Sequence, residues 1–109
     1  MIKVDDLHDA VLEGISIDVP GATVALEFVP IQFEGRAERV RLLAHGFEHF
    51  VVPRKQPWGL VKEWYVNEVR GPFSFGPTSQ RLEIEMQSGD LLEIHAGTFE
   101  RLQAGQSAG

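Results

Sequence analysis

The stretch "QRLEIEMQSGDLLEIHA", Gln80 to Ala96, decides the fold. Leu82, Ile84 and Met86 alternate with Arg81, Glu83 and Glu85. Leu92 and Ile94 then alternate with Glu93 and His95. Period-two alternation marks strands with one buried and one wet face. A two-residue Ser88-Gly89 turn would set Ile84 against Glu93. A three-residue Gln87-Ser88-Gly89 loop, with Gly89 left-handed, pairs Ile84 with Leu92 and Leu82 with Ile94. The apolar pattern therefore selects the longer, bulged turn.

The same logic extends towards the N-terminus. In "VLEGISIDV" Ile15 and Ile17 alternate with Ser16 and Asp18; in "ATVALEFV" Val24, Leu26 and Phe28 alternate with Ala25 and Glu27. Centring the turn on Pro20-Gly21 pairs Ile17 with Val24 and Ile15 with Leu26. It also leaves Glu13 facing Phe28. A bulge at Gly14 repairs this by bringing Leu12 beside Phe28. Pro-Gly favours a type II turn, which fits strand twist poorly, so a longer loop is compatible with the same pairing.

Between these hairpins, "AERVRLLAHGFEHFVVPR" fits either a helix or a strand across residues 37–46. Phe50, Val51 and Val52 favour β structure. The reading adopted is a strand, a bend near Gly46, and a second strand ending at Pro53. "KEWYVNEVR" is strand-like, and "GPFSFGPTS" is expected to break the chain. The result is an all-β single domain over residues 1–102. It has about seven mostly antiparallel strands in a barrel-like or sandwich sheet, with residues 103–109 as a polar tail.

Composition narrows the function classes. The chain has 109 residues with 16 acidic and 10 basic side chains, for a net charge of −6. A general phosphate-backbone binder needs a basic surplus, so no nucleic-acid partner is expected. The absence of cysteine rules out a disulfide framework, a thiolate metal site and a cysteine nucleophile. It also favours a cytoplasmic location. "MIKVDDLHDA" has no signal-peptide core, and no apolar run approaches the ~20 residues of a membrane span. No Gly-rich phosphate loop and no G-x-S-x-G elbow is present.

Two stretches carry candidate binding chemistry. In "DLHDA", His8 with Asp6 and Asp9 forms a polar cluster. An extended chain places Asp6 and His8 on one side and turns Asp9 away. A metal would need a third ligand from His45, His49 or His95, and their spacing matches no zinc motif. The plainer reading is a polar lead-in to the first strand that bonds nearby backbone. In "VPRKQPWG", Arg54, Lys55 and Trp58, followed by Trp64, make a basic and aromatic island in an acidic chain. Such residues anchor interfaces or, more plainly, close one end of a core. The alternating acids Glu83, Glu85 and Glu93 read as a solvated sheet face that discourages aggregation.

"LHDAVLEGISID", "VPR", "QPWG", "VNEV" and "QRLEIEMQSGD" together resemble a family of small uncharacterised bacterial proteins. The resemblance runs from about Leu7 to Phe99. It implies a β-meander closing on an SGD hairpin, and brings no catalytic residues with it. A broader likeness to toxin-immunity proteins implies binding rather than turnover. The function expected is a non-enzymatic protein-binding module of immunity-like type, without cofactor. One alternative is a metal-binding or hydrolytic domain using His8 and Asp9. Another is a homo-oligomer with a ligand groove between subunits.

Overall fold

The structure, a computed structural model, describes residues 2–30, 39–53, 65–74 and 76–103. A 3-10 turn, Asp5–Leu7, leads into eight strands: β1 Val11–Asp18, β2 Thr23–Val29, β3 Val40–His45, β4 His49–Val51, β5 Val66–Ser74, β6 Gln80–Met86, β7 Leu91–Ala96 and β8 Thr98–Gln103. They form two four-stranded antiparallel sheets, in the orders β1-β2-β3-β8 and β4-β7-β6-β5. The all-β class is therefore as the sequence predicts, and the arrangement is sandwich-like. Among the described residues no helix is long and apolar enough to cross a membrane.

The core lies between the sheets. Val24, Leu26, Phe28, Val40 and Leu42 bury themselves from one side; Leu82, Ile84, Met86, Leu92 and Ile94 do so from the other. These are the positions that alternation assigns inward. Burying such branched side chains stabilises by roughly 1.5–3 kcal/mol each before entropy is counted.

Two strand paths cross from one sheet to the other at a shared corner. β3 passes to β4 through Gly46, whose φ is +67°, and β7 passes to β8 through Gly97. Gly97 N–H donates to the His45 carbonyl at 3.0 Å, and Glu48 N–H donates to the His95 carbonyl at 2.8 Å. The bend expected near Gly46 is thus a sheet-switching corner of the kind that lets sandwiches turn. Residues 40–45 are strand, which resolves the helix–strand ambiguity there.

Both hairpins keep the predicted registers. Ile84 faces Leu92 and Leu82 faces Ile94. Gly89 has φ +94°, and Gly89 N–H donates to the Met86 carbonyl at 2.9 Å. In the first hairpin Ile17 faces Val24, Ile15 faces Leu26 and Leu12 faces Phe28, with the register shift between Leu12 and Gly14. The loop is four residues long, closed by Ala22 N–H to the Val19 carbonyl at 3.1 Å.

About seven strands were expected and eight are present, the added one being β8 beyond the Gly97 corner. Two expectations are corrected. The "GPFS" segment continues β5, with a register shift between Arg70 and Phe73. β5 ends its sheet's order, so Pro72 can sit at a bulge without removing a ladder donor. Gly71 has φ +105°, and a Cβ there would lie 2.8 Å from the Arg81 carbonyl oxygen, so only glycine fits. The second correction concerns Ile15 and Ile17. They share a face with buried Leu26 and Val24, yet are 36% and 50% exposed. Their strand is the outermost of its sheet, and its second half lies beyond the cover of the core.

Candidate functional site

"DLHDA" is not extended. The 3-10 turn at Asp5–Leu7 and a left-handed Asp9 (φ +64°) coil it into a clasp. Leu7 and Ala10 are fully buried, which pins the backbone of the clasp to the core. The polar side chains then reach outward in different directions. Asp6 meets Arg101 of β8, with Nη1–Oδ1 and Nη2–Oδ2 both at 2.7 Å. The Arg101 guanidinium bonds hold the Asp6 carboxyl below the ordinary carboxylate range, and Asp6 in turn holds Arg101 above its own.

His8 turns towards the other sheet. Its Nδ1–H donates to the Asn67 backbone carbonyl, which leaves Nε2 as the exposed ring nitrogen. Nε2 lies 3.4 Å from Asp9 Oδ2. Asp9 Oδ1 accepts from Gln87 Nε2 at 2.9 Å, and Asp9 N–H donates to the Val66 carbonyl at 2.8 Å. Of the three residues, His8 and Asp9 therefore come together while Asp6 faces Arg101. The extended-chain placement of Asp6 beside His8 is overturned by the turn geometry.

A half-open cleft of about 490 Å³ lies beside His8, lined also by Asp5, Asn67, Glu68 and Val69. Its rim continues into an ion-pair ladder on the outer face of β5 and β6. Arg70 Nη1 donates to Glu68 at 2.9 Å and to Glu85 at 3.1 Å, and its Nε donates to Glu83 at 3.3 Å. The bond from Arg70, and after it one from Asn67 Nδ2 at 3.2 Å, hold the Glu85 carboxyl below the ordinary carboxylate range. Among the described residues, no three His, Asp or Glu side chains gather as a metal set. The cleft offers hydrogen-bond acceptors and a histidine edge, suited to a small polar or cationic group.

The basic and aromatic residues Arg54, Lys55, Trp58 and Trp64 lie outside the described residues. A surface that the sequence reading missed is the margin of β1. Past the Val11–Tyr65 bridge, no described strand pairs with its outer side. Ile15 and Ile17 are exposed along it, and Val19 in the adjoining turn by 74%. The one signal available was Val19 beside the turn; the alternation of Ile15 and Ile17 reads like any buried strand.

No family model matches the chain, and no curated protein matches it. Among solved structures it is similar to the crystal structure of an uncharacterized protein from Neisseria gonorrhoeae. The TM-score is 0.63 at 17% sequence identity, over 86% of this chain and 90% of that chain. At that identity the likeness shows a shared fold.

Proposed function

We propose that this protein is a non-enzymatic protein-binding module, and that β1 is its binding strand. The observation that carries the reading is the margin of β1, which no described strand pairs beyond the Val11–Tyr65 bridge and where Ile15 and Ile17 are exposed, with Val19 exposed in the turn beyond. Isolated exposed apolar residues are ordinary, but two on a sheet margin with a third in the turn beside them invite strand addition. Main-chain hydrogen bonds would supply affinity, and the alternate side chains would supply selectivity.

The reading is also supported by how the polar residues are used. Asp6, His8 and Asp9 bond across the fold and Arg70 ties β5 to β6, so each has a holding role. Binding without turnover is how an immunity-type protein acts. A cytoplasmic location belongs to the same proposal, supported by a sequence without cysteine.

A photo-reactive amino acid at position 17, compared with one at position 98 on β8, tests the proposal. The expected result is a discrete protein adduct from position 17 and none from position 98. Equal labelling at both positions, or none at 17, would remove the reading.

A further inference from the structure

Natural sheet margins are usually blunted by lysine, proline, short strands or cover from a loop. β1 has eight residues, with neither lysine nor proline within it, and acids only at Glu13 and Asp18. Its regular part begins after the Leu12–Gly14 bulge and runs to Asp18. That segment, Gly14-Ile15-Ser16-Ile17-Asp18, is centred on Ser16.

We propose that β1 pairs with β1 of a second copy of this chain, antiparallel, about a two-fold axis at Ser16. The inference rests on the protein-binding reading and names the partner. In such a pair, opposed residues point to the same face, so their numbers must sum to an even value. Centring on Asp18 sets two carboxylates against each other, which is unfavourable. Centring on Ile17 brings Pro20, which has no N–H, against Gly14. Centring on Ile15 opposes Ile17 with the bulged Glu13.

Centring on Ser16 keeps all five paired residues, Gly14 to Asp18, within the regular segment and opposes no acid to an acid. Ile15 lies across from Ile17 of the second copy, twice over. The two Ser16 hydroxyls face each other. Each Asp18 falls opposite a Gly14, and the space a Gly14 Cβ would fill has no heavy atom within 4 Å. The carboxylate thus has room to stay hydrated, and no acid opposes an acid. Ile15 and Ile17, 36% and 50% exposed, supply a small apolar area per copy. That is less than a standard specific interface buries, so the dimer is reversible and concentration-dependent.

The test uses the whole chain, which has no native cysteine. A Ser16→Cys variant carries one thiol, and opposed Cα atoms in an antiparallel pair lie within disulfide reach. Under mild oxidation Ser16→Cys should form a linked dimer several-fold faster than Ser74→Cys, whose thiol is exposed on β5. Adding Ile17→Lys should abolish that linkage while circular dichroism stays native. Sedimentation of the unmodified protein should show a monomer–dimer equilibrium that Ile17→Lys loses. Equal linkage rates, a dimer that survives Ile17→Lys, or a monomer at every concentration would overturn the proposal. In the last case, a photo-adduct at position 17 with a different protein preserves the binding reading while the self-pairing fails. Absence of any adduct at 17 removes both.

Discussion

Arg101 grips Asp6 through two parallel hydrogen bonds of 2.7 Å, although the two residues stand 95 positions apart in the chain. The fork geometry matches the carboxylate, and Arg101 is only 15% exposed at its side chain. Asp6 is 36% exposed, so solvent screens part of the attraction. A double-mutant cycle with Asp6→Asn and Arg101→Gln, read by urea unfolding, should give a coupling of about 1 kcal/mol at neutral pH. Because folding lowers the Asp6 carboxyl from its ordinary value of 3.8, this stability is present above that value. It is lost as pH falls through the lowered one. The coupling should therefore fade in acid and persist above pH 5.

Asp9 is strained for a different reason. Its φ of +64° is a conformation glycine adopts freely and a β-branched residue adopts with difficulty. Asp9→Gly relieves the strain but loses the bond from Gln87, and should change stability by no more than about 1 kcal/mol. Asp9→Val loses the bond and adds strain, for a cost of about 2–3 kcal/mol. Thermal melts of the two variants should differ by several degrees in that order.

Glycines in this chain are not equivalent. Gly71→Ala meets both a positive φ and the Arg81 carbonyl oxygen, and should cost about 3 kcal/mol. Gly14→Ala enters open space, and should stay within about 0.5 kcal/mol of the parent. Denaturant midpoints measured side by side give the contrast directly.

Ile84 and Ile17 look alike in sequence, each alternating with polar neighbours. Ile84 is fully buried and Ile17 half exposed. Ile84→Ala should lose about 3 kcal/mol through lost transfer energy and the cavity left behind. Ile17→Lys should leave the monomer's stability within about 0.5 kcal/mol. A large loss for Ile17→Lys at concentrations where the protein is monomeric would show that the margin of β1 is structural.

This contrast marks what a sequence can report. Alternation names the face on which a side chain lies, and the pairing of Leu82, Ile84, Leu92 and Ile94 followed from it, with Gly89 fixing the turn. It says nothing about whether another sheet covers that face. Ile15 and Ile17 were therefore assigned inward and proved exposed. The clasp was hidden for a related reason. Its bonds run from His8 to Asn67, from Asp9 to Gln87 and from Asp6 to Arg101, over separations of 59, 78 and 95 residues. No local pattern encodes those meetings. In β5, the breaker residues Gly71 and Pro72 are absorbed by a bulge at the sheet margin, a tertiary circumstance that composition cannot supply.

The clasp also sets an order of events during synthesis. Residues 5–10 leave the ribosome before the groups that fasten them, at Asn67, Gln87 and Arg101, which emerge later and one after another. Leu7 must wait for its final seat until those strands are made. A nascent chain that halts before Arg101 carries an unlatched clasp, a handle that chaperones and proteases read as unfinished.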